Sequence, residues 1–157
     1  MVKKNLFNFF FIVTIFLIDR LSKYFILNSF DNNEKQEIII TSFLSFNLIW
    51  NDGIAFGLFS FNEKIYYDFL TGLIIAITII IFWMIIKSKE LEKISFMMIF
   101  GGSLGNIFDR IYYRSVPDFI DLHFFNFHWF IFNVADIFIT TGVVFLIFFE
   151  FFKKKHE

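Results

Sequence analysis

Four long apolar runs, at about 5 to 27, 65 to 86, 94 to 112 and 131 to 152, constrain this chain more than any other feature. A helix needs roughly 20 mostly apolar residues to cross about 30 Å of hydrocarbon, and every run is of that order. Folding all four into a water-soluble core would require a polar exterior that the chain lacks: 57% of its 157 residues are apolar and its mean hydropathy is +0.67. The expectation is a membrane α fold with four transmembrane helices, built as a single domain over 1–157. The first run follows Lys3 and Lys4 and so imitates a secretory signal peptide, but no small-x-small cleavage site follows it, and it is read as a retained helix. Residues 28–64 and 113–130 then lie outside the membrane. Within the first of these, "EIIITSFLSFNLIW" has the β-branched and aromatic content of short strands, so a small extramembrane sheet is expected there.

Lysine distribution orients the bundle. Lys3 and Lys4, then Lys87, Lys89 and Lys93, then Lys153 to Lys155 all fall on one side of four spans, and the positive-inside rule makes that side, with both termini, cytoplasmic. Polar residues inside the runs can then be ranked by depth. Asp19, Arg20 and Lys23 fall near the outer end of the first, Asn106, Asp109 and Arg110 near the outer end of the third, and Asn133 and Asp136 near the outer start of the fourth. These costly groups converge on one leaflet, as a site working at the outer membrane surface requires; a transport path would place them at several depths, usually near the midplane.

Composition removes several function classes. Without cysteine there is no disulfide, thiol nucleophile or thiolate metal site, and His123, His128 and His156 lack the helical spacing of metal ligands, so no metal or other cofactor is expected. Net charge is −1, and the one dense basic run, "KKK" at 153–155, reads as a membrane-edge anchor, which argues against nucleic acid as a partner.

Asp118 leads into the fourth run and Asp136 lies in its first turns. Two carboxyls in a partly dry pocket tend to share a proton, giving one acid and one base, which is the equipment for activating water against an amide without a metal. On spacing alone this competes evenly with a plainer reading, in which Asp136 pairs with Arg110 and Asp118 is a solvated loop residue. Asp121, three residues on, is the alternative to Asp118. Asn133, Asp136 and Thr140 share one helix face. In "GGSLGNIFDR", Asn106, Asp109 and Arg110 follow Gly101 and Gly105, a small-xxx-small pair read as a packing surface, with Asp109 and Arg110 anchoring the outer helix end. Asp19 and Lys23, four apart, read as a mutually neutralising pair. In "NLIWNDGIAFGLF", Asn51 and Gly53 make either a hairpin turn or part of a cleft where an amide and exposed backbone N–H groups hold a peptide.

Taken in order, "DRLSKYFIL" (19–27), "NDGIAFG" (51–57), "GGSLGNIFDR" (101–110), "VPDFID" (116–121) and "FNVADIFITTG" (132–142) resemble the bacterial lipoprotein signal peptidases, the type II signal peptidases, over essentially the whole chain. The resemblance implies a four-helix membrane aspartyl endopeptidase with an extracytoplasmic β-cradle, residing in the bacterial cytoplasmic membrane. It implies cleavage of diacylglyceryl-modified prolipoproteins immediately before the lipid-bearing Cys, and inhibition by globomycin. By the same resemblance Asp118 and Asp136 are the catalytic pair, and Asp19, Lys23, Asn51, Asn106, Asp109, Arg110 and Asn133 are supporting positions. The implied partners are lipid-modified prolipoprotein signal peptides and membrane phospholipid, met by a monomer whose active site lies near the outer leaflet. Ile54 stands where the family usually has a small residue, and Pro117 where many members have a β-branched one. A channel or transporter subunit and a catalytically inactive membrane scaffold are the alternatives; no inverted repeat supports the former.

Overall fold

The computed structural model describes residues 2–32, 37–53, 64–88, 90–125 and 127–153. Ile54 lies outside the described residues. In chain order the elements are α1 (Val2–Asn32), β1 (Ile38–Thr41), β2 (Leu44–Asn51), α2 (Lys64–Lys87), α3 (Glu90–Tyr112), β3 (Val116–Phe124), β4 (Phe127–His128) and α4 (Val134–Lys153). Two of the helices, α2 and α4, are by themselves long and apolar enough to cross a membrane. Phe69, Ile79, Ile147 and Phe151 stand exposed on their outer faces, a surface suited to hydrocarbon rather than water. α1 and α3 are as long but carry charge, which they turn inward: Asp19 and Asp109 are completely buried.

α3 packs against the other three helices, and its glycines set how close they come. A β-carbon on Gly102 would lie 2.6 Å from the Ala135 carbonyl oxygen, and one on Gly142 would lie 2.7 Å from that of Ser95, so α3 and α4 meet backbone to backbone at two levels. Gly105 faces α1, where a β-carbon would sit 2.5 Å from Asp19 Oδ2. The expected packing role of the "GGSLG" stretch is the one observed.

The strands form one antiparallel sheet in the order β1-β2-β3-β4. The expected sheet within 28–64 supplies only half of it. β3 comes from the segment read as an outer loop, because Pro117 and three polar side chains obscure its alternation. It forms nonetheless: Val116 and Phe119 bury themselves, and β2 pairs along it with Ile49 opposite Asp118 and Asn51 opposite Val116. Among the described residues Pro117 pairs only with Trp50 of β2, so its missing N–H leaves no described ladder partner unmet on the other side. Farther on, the N–H groups of Phe119 and Ile120 both donate to the Phe132 carbonyl, at 3.0 and 2.8 Å, a bulge that ties β3 to the residue just before α4. Asp118 is thereby delivered to the start of the fourth helix.

Gly102→Val places side-chain atoms against the Ala135 carbonyl and is expected to lower the thermal midpoint in detergent by several degrees, the scale of an overpacked core. Gly72→Ala on α2, where nothing among the described residues lies within 4 Å of the added carbon, is expected to leave it unchanged. Equal midpoints for the two variants would contradict the close α3–α4 contact.

Candidate active site

α4 begins at Val134, three residues later than its apolar run, because Asn133 caps it. Asn133 Oδ1 accepts the N–H of Asp136 at 3.2 Å, while Asp136 Oδ2 accepts the N–H of Asn133 at 3.1 Å. This is the reciprocal arrangement of a capping box, with Asp136 in the third helical position. The Asn133 side chain also donates Nδ2 to Asp118 Oδ1 at 2.6 Å, so one buried residue touches both acids. The two remaining carboxylate oxygens are held from other elements. Asn51, the last residue of β2, donates to Asp118 Oδ2 at 2.8 Å, and Asn106 of α3 donates to Asp136 Oδ1 at 2.8 Å.

Each of these amides is oriented in turn. Asn51 Oδ1 accepts the Gly53 N–H at 3.0 Å, an Asx turn that points the amide nitrogen at Asp118. Asn106 Oδ1 accepts from Lys23 Nζ at 3.1 Å, which points its nitrogen at Asp136. Lys23 is buried and also bridges Asp19 at 2.9 Å and Asp109 at 2.6 Å; Arg20 completes the set, reaching Asp109 at 2.5 Å and Asp19 at 2.6 Å. Asp19 Oδ1 finally accepts the Ala135 N–H at 3.0 Å, joining α1 to the exposed backbone donors of α4.

Some expectations need correction. Arg110 pairs with neither acid: it donates to the Gly53 carbonyl, and its guanidinium stacks on Tyr67 with the carbon 5.5 Å from the ring centroid. Gly53 offers no free N–H, because Asn51 takes it, and the residue is buried. Asp118 is no solvated loop residue, being 4% exposed. Asp121 engages His128 Nδ1 at 3.0 Å. Arg20 was placed at the outer end of the first helix but given no role; only the third dimension shows it shared between two acids.

A sequence profile described as signal peptidase (SPase) II matches residues 11–152. The chain belongs to the signal peptidase II family. Among curated relatives, the lipoprotein signal peptidase of Pelagibacter ubique (strain HTCC1062) is 49% identical, covering 100% of this chain and 99% of the relative. That of Francisella tularensis subsp. novicida (strain U112) is 43% identical over 76% of this chain and 77% of its own. Two solved structures described as bacterial membrane enzymes superpose well. One has a TM-score of 0.77 at 24% identity over 96% of this chain and 90% of its own, and the other 0.74 at 27% identity over 90% of each.

The two acids open onto two clefts. Asp118 faces one of about 430 Å³ with Asn51 and His128 on its wall, and Asp136 faces one of about 250 Å³ with Thr140 and Thr141. Trp129 and Phe130 line both, forming the rib between them. Burial, and after it the nearby Asp136 charge, push the Asp118 carboxyl up to about 6, against the opposing pull of its two amide donors. A raised acid holds its proton in the folded state where the unfolded chain has lost it. Stability from this group is therefore greatest below about pH 4 and falls as pH rises through about 6, by on the order of 2 to 3 kcal/mol. The midpoint of Asp118→Asn minus that of wild type is accordingly expected to increase between pH 4.5 and pH 7.5 in detergent; a constant difference would contradict the buried, raised carboxyl.

Proposed function

We propose that this chain removes the signal peptide from lipid-modified prolipoproteins as an aspartic membrane peptidase, with Asp118 and Asp136 as its catalytic pair. One observation carries the assignment: among the described residues each of the four carboxylate oxygens accepts one positioned N–H donor, and the two acids meet through Asn133. Every oxygen keeps a second lone-pair direction for water or substrate. The ionised acid takes a proton from water as the water oxygen bonds to the scissile carbonyl carbon. The protonated acid gives its proton to the carbonyl oxygen. As the resulting diol collapses and the carbon–nitrogen bond breaks, the proton taken from water passes to the leaving amine, and the diol proton returns to the pair. The products are a signal peptide ending in a carboxyl group and a lipid-bearing Cys with a free amine.

In the same reading Asn51 and Asn133 orient the pair and meet the substrate backbone, and Arg110 holds the Gly53 turn beside them. Asn106, Asp109, Asp19 and Lys23 act behind Asp136. The chain is one domain of four spans, with both termini in the cytoplasm and the acids near the outer leaflet. A site at that depth lets diacylglycerol chains remain among phospholipids while the Cys is presented, so cleavage needs little extraction from the bilayer. A monomer suffices, since all the residues named come from one chain. Family membership weighs against the transporter and inert-scaffold alternatives.

The test is cleavage of a diacylglyceryl-modified prolipoprotein by purified wild type, Asp118→Asn and Asp136→Asn, each checked for thermal unfolding. Both variants are expected to stay folded and to lose at least about a hundredfold in rate, the scale of lost acid–base catalysis. Near wild-type cleavage by either would overturn the pair and make Asp121 the next residue to examine.

A further inference from the structure

The β3–β4 hairpin carries a second constellation that the peptidase chemistry does not use. Asp121 and His123 are two apart on β3 and so share a face, and His128 of β4 pairs directly opposite His123. The sequence offered no helical ligand spacing here, but helical spacing is the wrong measure for a hairpin. The pairing of β4 with β3, with Phe125 in the left-handed region at φ 52°, brings the two imidazoles to 5.1 Å between ring centroids. One ligand atom from each of Asp121, His123 and His128 lies within 4.8 Å of the others.

We propose that Asp121, His123 and His128 bind a divalent transition-metal ion of the zinc type. Two imidazoles and one carboxylate are a donor set that suits zinc and leaves one coordination position open. Bonds of about 2.0 Å put tetrahedral ligand atoms about 3.3 Å apart. Asp121 and His128 already stand 3.0 Å apart, so the remaining closure falls mainly on His123, within reach of a side-chain rotation. Two further observations point to an absent ligand. Among the described residues, His123 Nδ1 is buried without a hydrogen-bond partner, and so is the hydroxyl of Ser45, which pairs opposite Asp121 on β2. Asp121 is 2% exposed at its side chain and His128 55%, giving the site a closed floor and an open entrance. The ion would clip β4 to β3 immediately before Trp129 and Phe130, the rib between the two clefts, and so stiffen the wall facing both acids.

The experiment titrates zinc chloride into the tag-free, full-length protein in detergent, by calorimetry and by competition with a chromogenic chelator. One ion per chain is expected, together with a higher thermal midpoint that a chelator reverses and that calcium or magnesium does not produce. His123→Ala and His128→Ala should each weaken binding at least tenfold, while His156→Ala binds as wild type. Unchanged midpoints of the first two variants without metal show that they fold; should either fail to fold, Asp121→Asn and the metal-dependent midpoint of wild type carry the test. Absence of saturable binding, binding that survives both hairpin variants, or binding lost in His156→Ala would overturn the site. These readouts do not depend on which residues cleave peptide.

Discussion

The first turn of α4 is the constraint on which the rest of the site depends. A helix begins with backbone N–H groups that have no partner within it, and they must be satisfied or left at a cost. Here Asn133 and Asp136 satisfy two of them reciprocally, and Asp19 reaches across from α1 to take a third at Ala135. A polar cap of this kind stabilises by about 1 kcal/mol. Its larger consequence is geometric: the residue that caps the helix also donates to Asp118, so forming α4 and aligning the two carboxyls are one event. The partial positive charge at a helix start favours the carboxylates gathered around it.

That gathering of acids would be untenable without the bases of α1. Asp19 and Asp109 carry two negative charges, and Arg20 and Lys23 two positive ones, so the quartet, buried except for the half-buried Arg20, is neutral as a set. Removing one member of such a group typically costs 3 to 5 kcal/mol, about the worth of an uncompensated buried charge. The quartet also does something a hydrophobic replacement could not. Through Lys23 it fixes which way the Asn106 amide points, and through Asn106 it fixes Asp136. Gly105 is part of this arrangement, since any side chain there would displace the Asp19 carboxylate.

Much of this was legible in the sequence, and the exceptions have physical causes. The four apolar runs reappear as four helices, and the two acids do lie together, because long hydrophobic periodicity and misplaced charge are strong local signals. β3 was missed because its side chains answer to β2 and to Phe132, which are distant along the chain, rather than to a repeating pattern. Asn133 was placed on a helix face when it is the cap before the helix; the apolar run starts at 131, ahead of the capping box "NVAD" that sets the true start at Val134. Arg110 looked like a partner for Asp136, one helix away, but nothing local could reveal that Gly53 would offer its carbonyl instead. The hairpin cluster escaped for the same reason: its spacing has meaning only once two strands are folded back on each other.

The most direct test of the account is the pH dependence of kcat/KM on a lipidated prolipoprotein for wild type and Asn133→Ser. Serine retains an oxygen to cap α4 but loses the amide that donates to Asp118. Since that donor favours the ionised carboxylate, its loss should raise the Asp118 titration. The account predicts a limb near pH 6 in wild type, matching a carboxyl pushed up to about 6, and the same limb moved to higher pH in the variant. A wild-type profile flat between pH 5 and 8, or a limb that does not move when the amide is removed, would contradict a catalytic pair of aspartates held by Asn133.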